Sequence, residues 1–244
     1  MPAETTCEHV LVVGGSSGMG LALAGRLLAH GSEVTIAGRS PERLDRARGI
    51  LGDPAGLHTV AADITREPEV ERLFGSAGEF DHVVSTAADV SGVYVPLPEM
   101  DIATARRVID SKVVAPILLA KHGASRLRPA GSITFTSGIA AYRPAPRGSV
   151  VAAINGAIES LVYALALELA PIRVNAISPG WVDTPIWQQV AGDGKAAVLD
   201  AMAKRLPVGR VGQADDIAQA IEAVMRNGFI SGTVVHVDGG QRLV

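Results

Sequence analysis

The stretch His9-Val10-Leu11-Val12-Val13-Gly14-Gly15-Ser16-Ser17-Gly18-Met19-Gly20 decides how the rest of the chain is read, because an apolar run of strand length enters a glycine cluster and Leu21 to Ala29 beyond it has helical composition. A strand, a tight turn and a helix in that order carry the free amides of the helix's first turn to the end of the strand. That arrangement suits the pyrophosphate of a dinucleotide. Gly14 permits the turn, Gly18 lets backbone approach the ligand, and Gly20 lets the helix pack close to the strand. Ser16, Ser17 and Met19 complete the loop. The spacing G-x-x-x-G-x-G differs from the commoner G-x-G-x-x-G.

Outward from this loop, apolar runs alternate with helical segments along the whole chain. The runs are His9 to Val13, Glu33 to Ala37, Leu57 to Ala61, His82 to Ser85, Ser132 to Thr136, Ile172 to Ala176 and Thr233 to Val237, seven candidate strands in all. They are continuous rather than alternating in polarity, as expected of strands covered by helices on both sheet faces. The pattern predicts an α/β fold with a doubly wound, parallel, seven-stranded sheet of the Rossmann type, forming one domain over residues 1–244. Ser40-Pro41 should cap one helix, and Gln213 to Arg226 should form a late one. The segment 185–207 is richer in Gly, Gln and Trp and interrupts the rhythm, which marks it as a substrate lid.

At the end of the second strand stands Ala37-Gly38-Arg39-Ser40. An acid there would grip ribose hydroxyls, whereas a base suits a 2′-phosphate, so Arg39 favours NADP over NAD. The competing reading is a solvated surface arginine. Asp63, with Ile64 beside it, follows the third strand and could accept from the adenine amino group, cap the next helix, or do both.

Hydrophobic residues make up 48% and charged ones 19%, with a net charge of -3, which excludes a disordered chain and gives no clustered cationic face for nucleic acid. One cysteine, Cys7, forms no internal disulfide and suits the cytoplasm. Met1 to Glu8 is polar and acidic, unlike a secretory leader. One Cys and six scattered His offer no metal-ligand spacing. The helix expected at 148–170 is apolar nearly all round, yet it carries Asn155, Glu159 and Glu168, which a membrane span tolerates poorly. One face should pack on the sheet and the other on a second subunit, giving a homodimer or homotetramer.

The loop, Asp63, Ser137, the run Ile172-Arg173-Val174-Asn175-Ala176-Ile177-Ser178-Pro179-Gly180, Thr184 and His236-Val237-Asp238-Gly239-Gly240 together resemble the short-chain dehydrogenase/reductase family from end to end. By that resemblance Pro179, Gly180, Val182 and Thr184 would line the nicotinamide, and Ala87 and Ala88 would pass the adenosine ribose. The family's Asn-Asn-Ala-Gly segment reads Ser85-Thr86-Ala87-Ala88 here, and Val13 replaces its usual Thr.

The family's chemistry rests on Asn, Ser, Tyr and Lys. Ser137 matches the Ser. The Tyr and Lys positions, thirteen and seventeen residues later, hold Val150 and Ile154, and the Asn position holds Lys112. Valine and isoleucine move no protons, and loss of a positioned general acid costs about 10²–10⁴ in rate. Two side chains are candidates to replace them. Lys112 could donate a proton or polarise a carbonyl beside Ser137, or could be a structural lysine paired with an acid. Tyr142, five residues past Ser137, could donate from a loop over the site or merely shape it. Two functional readings follow: an atypical NADP-dependent oxidoreductase moving hydride between nicotinamide and a carbonyl or alcohol on a small-molecule substrate, or a catalytically silent NADP(H)-binding sensor or assembly protein.

Overall fold

The computed structural model describes residues 7–244, so most of the polar lead read at Met1–Glu8 lies outside the described residues. All seven expected strands form. In chain order the elements that matter are β1 (His9–Val13), α1 (Gly18–Ala29), β2 (Glu33–Gly38), α2 (Pro41–Ile50), β3 (Leu57–Ala61), α3 (Glu67–Ser76), β4 (Phe80–Ser85), α4 (Ile102–Ile109), α5 (Ala115–Gly123), β5 (Leu127–Thr136), α6 (Ser149–Glu168), β6 (Arg173–Pro179), β7 (Val182–Asp183), α7 (Ile186–Ala191), α8 (Lys195–Ala203), β8 (Gly212–Gln213), α9 (Ala214–Arg226) and β9 (Val234–Val237).

The main sheet runs β3-β2-β1-β4-β5-β6-β9, and its pairings are parallel throughout. Side chains alternate across a strand, so β1 feeds two cores. Val10 and Val12 pack with Leu23, Leu27, Ile217 and Ile221 of α1 and α9. Leu11 and Val13 pack with Leu73, Phe74, Leu119 and Ile158 of α3, α5 and α6. With both faces covered, the strands have no room for a polar alternation. Chain order reverses between β1 and β4, and the crevice beyond the carboxyl ends of strands at such a switch point is where this class of sheet binds ligands.

Ser40 caps α2, accepting a hydrogen bond from the Arg43 amide at 3.2 Å, with Pro41 in the first turn. Asp63 does not cap α3, whose N-cap is Arg66; its carboxylate instead closes a turn on Thr65. A two-stranded ribbon of β7 and β8 was not expected. It pairs Val182 with Gly212 and Asp183 with Gln213, tying together the two ends of 185–207, which itself folds as α7 and α8.

Of the described helices, α6 alone is long and apolar enough by length and composition to cross a membrane. In the fold its Val151, Ile154, Ile158 and Val162 are buried.

Candidate active site and dinucleotide cleft

Two adjoining cavities, of about 390 and 650 Å³, open along the carboxyl edge of the sheet and share Met19, Thr86, Ala88 and Thr184 in their walls. The smaller surrounds the glycine loop. Gly14 has φ of +84°, and a Cβ there would stand 2.8 Å from the Ala87 nitrogen. A Cβ on Gly20 would stand 2.5 Å from the Gly14 carbonyl oxygen, so this glycine lets α1 close on the loop itself, while Gly15 makes the close approach to the sheet, at Ile36 of β2. At Gly18 the same test finds only ordinary contacts, with Thr184 and Pro185.

Ser17, the N-cap of α1, makes no side-chain capping bond. The helix therefore presents uncapped first-turn amides in a cradle that any side chain at Gly14 or Gly20 would fill, and these features fit a dinucleotide pyrophosphate. The Ser17 hydroxyl is engaged elsewhere, accepting from Arg43 Nη2 at 3.1 Å. Arg43 thus joins Arg39 in the wall of the smaller cavity. It escaped the sequence reading because a helical Arg three residues past a cap carries no mark of its own; only the return of α2 toward the loop brings it in. Arg39 extends to Asp89, 3.5 Å away, and Asp89 is also held by Arg107 at 2.5 Å. Burial alone would raise the Asp89 pKa, but Arg107 and the bonds from Ser91 outweigh it and hold the carboxyl below its usual range.

Ser16, Asp63, Ile64 and Ala87 line the same cavity. One Asp63 carboxylate oxygen is already committed, accepting from the Thr65 amide at 3.0 Å and from its hydroxyl at 2.7 Å. Gly20, alone among the residues expected at the cofactor, lines neither cavity, consistent with its packing role.

Pro179, Gly180, Val182 and Thr184 line the larger cavity. A Cβ on Gly180 would fall 2.7 Å from the Asp238 Cα, so the glycine lets the end of β6 pass the Asp238-Gly239-Gly240 turn. The Trp181 and Trp187 rings lie 4.3 Å apart, and the Trp187 indole donates to the Val182 carbonyl at 2.8 Å, building an apolar wall from the first turn of the lid segment.

Lys112 enters the larger cavity through a local change of helix. Between α4 and α5 the residues Asp110–Val114 form one π-helical turn, and the Ala115 amide bonds five residues back to Asp110. Pro116 has no N–H to give the Lys112 carbonyl, so the ordinary four-residue ladder fails there and the wider turn takes its place. The Lys112 side chain is 6% exposed. Its Nζ donates to the Thr136 carbonyl oxygen at 2.5 Å and to Thr136 Oγ1 at 3.2 Å. No acid pairs with it among the described residues. Burial alone pulls its pKa down to about 8. Beside it Ile154 is buried with Val93, Val108 and Val151, and Val150 packs against them, so the positions read as Tyr and Lys in the family form a dry wall here.

Ser137 and Tyr142 also line this cavity, and the Ser137 hydroxyl is committed to α6. The Ser137 hydroxyl lies 2.9 Å from Glu159 Oε1 and 3.1 Å from the Asn155 carbonyl oxygen, both on α6. The Tyr142 phenol is raised above its ordinary pKa, first by burial and then by its hydrogen bond to Glu159. A phenol held in this way is a poor acid. Glu159, read from sequence only as an obstacle to a membrane span, is the hub of this cluster; nothing in its spacing marked it, since the contact is made across β5 and α6.

Away from the cavities, Glu67, Glu71 and His122 bring ligand atoms within 4.8 Å of one another, a grouping across α3 and α5 that the linear His spacing concealed. The Lys121 ammonium already sits 2.5 Å from Glu67. His122 is half-buried on Glu67.

A family model described as enoyl-(acyl carrier protein) reductase matches residues 13–242. The short-chain dehydrogenase/reductase malC of Malbranchea aurantiaca is 34% identical over 251 residues, covering 97% of this chain and 95% of that protein. The cis-4-hydroxycyclohexanecarboxylate dehydrogenase of Sinomonas cyclohexanicum is 34% identical over 255 residues, covering 99% of each. Among solved structures, the MalC reductase/Diels-Alderase superposes with a TM-score of 0.89 at 32% identity, covering 98% of this chain and 96% of that one. A small-chain dehydrogenase in complex with NADPH gives 0.84 at 35% identity, covering 98% and 100%. The chain therefore belongs to the short-chain dehydrogenase/reductase family. It is an oxidoreductase by family, built on a nicotinamide-binding fold.

Proposed function

We propose that this protein is an NADP(H)-dependent reductase, or the corresponding dehydrogenase, in which Lys112 supplies the proton that a tyrosine supplies in the family pattern. The observation that carries the reading is Lys112 itself: a buried ammonium with no carboxylate partner among the described residues, anchored on Thr136 and lining the cavity that adjoins the dinucleotide cleft. When bound, the reduced nicotinamide supplies a hydride. The residues of the Gly14–Gly20 loop hold its pyrophosphate, Arg39 and Arg43 its 2′-phosphate, Ala87 and Ala88 its adenosine ribose, and Pro179, Gly180, Val182 and Thr184 its carboxamide end.

The chain's own part in the chemistry is the proton. An ammonium with two hydrogen bonds to Thr136 keeps a third N–H for the oxygen of a carbonyl substrate. As negative charge develops on that oxygen, transfer of the proton completes the alcohol and leaves a neutral amine, which the lowered pKa makes tolerable. In the opposite direction the neutral amine removes the alcohol proton. Ser137, its own proton directed to Glu159, has no hydrogen to give a carbonyl oxygen and serves only as an acceptor for the hydroxyl of the alcohol. The lid segment 185–207 sheds water from the apolar end of the cavity.

The relatives support a carbonyl or secondary alcohol as the reacting group, since one is named a cyclic hydroxy-acid dehydrogenase and another a reductase. The test is NADPH oxidation across a panel of ketones and aldehydes, run with NADPH and NADH titrations. Turnover with NADPH preferred by at least about tenfold supports the reading. Tight NADPH binding with no turnover on any carbonyl favours the silent sensor, a reading to which the commitment of the Ser137 hydroxyl to Glu159 lends weight.

We also propose a homo-oligomer formed through α6. Beyond its buried stripe the helix presents Tyr163, half-exposed, and Leu167, 84% exposed, with Ala164 between them, a small apolar face on a helix that carries Ser149, Ser160 and Glu168 as its exposed polar residues.

A further inference from the structure

We infer that the substrate carries an anionic group, and that Arg143 and Arg205 at the mouth of the larger cavity recognise it. The inference rests on the reading of this cavity as the substrate site. Its walls are apolar at the Trp181 and Trp187 end, and its charged side chains are Lys112, Arg143 and Arg205, with no Asp or Glu in the described lining. Three cations with no Asp or Glu among the described lining residues stand out in a chain of net charge -3, whose other arginines are widely paired with acids.

The three are not equivalent. Lys112 is buried at the inner end, whereas both arginines are exposed. Arg205 makes no ion pair or side-chain hydrogen bond among the described residues, and Arg143 donates only to the main-chain oxygen of Val244. Arg143 stands on the loop after β5 and Arg205 follows α8, so two separate segments of the chain each bring one guanidinium to this cavity. A substrate that places its carbonyl at Lys112 and its apolar body along the tryptophans reaches the entrance with its far end. A carboxylate or phosphate there receives forked N–H donors. A neutral or cationic tail leaves the Arg205 guanidinium without a partner.

Trp181 and Trp187 are the two tryptophans of the chain, so intrinsic fluorescence reports occupancy of this cavity whether or not turnover occurs. The probes are methyl-ketone acids of increasing length, from levulinate upward, each with its methyl ester and its coenzyme A thioester, titrated into NADP⁺-saturated protein. The expected result is an optimal-length acid binding about tenfold tighter than its ester, an advantage reduced by salt and falling to within about twofold in the Arg143→Gln/Arg205→Gln protein. The ester's unchanged affinity in that variant shows that the cavity is intact. Tighter binding of the thioester, lost in the same variant, assigns the anion as a phosphate. Equal binding of acid and ester, an advantage that survives the double substitution, or no fluorescence change with any acid overturns the inference. Acid preference without NADPH oxidation would keep the anion site and remove the reductase reading.

Discussion

The Ser137 hydroxyl and the Glu159 carboxylate lie 2.9 Å apart, within hydrogen-bonding distance across the β5–α6 packing. A serine hydroxyl has one proton. Given to Glu159, or to the Asn155 carbonyl beside it, that proton is withdrawn from any substrate in the cavity, and the Tyr142 phenol is drawn to the same carboxylate. In the proposed mechanism the acid function therefore falls to Lys112, whose Nζ is anchored on the neighbouring Thr136.

Ser137→Ala is accordingly expected to lower kcat by less than about tenfold, since it removes an acceptor for the alcohol's hydroxyl and not the proton source, whereas loss of a general acid costs about 10²–10⁴. Steady-state kinetics on a carbonyl identified by panel screening measure this. A loss of a hundredfold or more would return the proton-donor role to Ser137.

In the proposed reading, cofactor preference rests on two arginines, Arg39 and Arg43. Arg39 is held by Asp89 and Arg43 by Ser17, so each is presented to the cleft by a partner. Charge-assisted bonds to a phosphate are worth roughly 1.5–3 kcal/mol each, which converts to about tenfold to a hundredfold. Replacing either by Ala should weaken NADPH by that factor and leave NADH nearly unchanged, measured by titration of cofactor fluorescence. An equal loss for both cofactors would show that the arginines serve the fold and not the 2′-phosphate.

Most of the fold was legible because its signals are local. The run into Gly14, the covered strands and the cap at Ser40 are each written in a few consecutive residues, and the structure keeps them nearly to the residue. The β7–β8 ribbon was not legible, since two residues a side carry no periodicity. Lys112 stood out only as an ion in an unexpected place; its π-helical turn depends on Pro116 and was not anticipated. Arg43, Asp89 and Glu159 were invisible for one shared reason. Each acts through a contact more than twenty residues away in the chain, which no spacing rule encodes.

Assembly through α6 predicts that Tyr163→Glu combined with Leu167→Glu yields a monomer, because two charges would have to be desolvated in the interface. Both side chains are exposed in the single chain, so the variant should keep its fold and its far-ultraviolet dichroism. Light scattering at micromolar concentration compares the two proteins. A wild-type monomer, or a variant with the wild-type mass, contradicts this interface.

Lys112 also sets a pH signature on stability. Its folded pKa of about 8 lies below the ordinary 10.5, so below about pH 8 the fold carries a buried charge, and between about 8 and 10.5 the unfolded chain binds the extra proton. Stability contributed by this group therefore rises with pH across that window, by a total on the order of 3 kcal/mol. In urea unfolding, Lys112→Met should gain most over wild type near neutral pH and least near the upper end of the window. A pH-independent difference would mean that Lys112 titrates normally.

The most direct test of the account is the pH dependence of carbonyl reduction in wild-type protein, Lys112→Met and Lys112→Arg, each saturated with NADPH. The account predicts a wild-type kcat that falls as pH rises through about 8, where the ammonium is lost. It predicts a Lys112→Met rate lower by about 10²–10⁴ and flat across that range, with NADPH affinity retained. Lys112→Arg keeps a charge but scarcely releases a proton, so it should resemble Lys112→Met. A Lys112→Met protein that turns over at the wild-type rate with the wild-type pH profile would contradict the account at its centre.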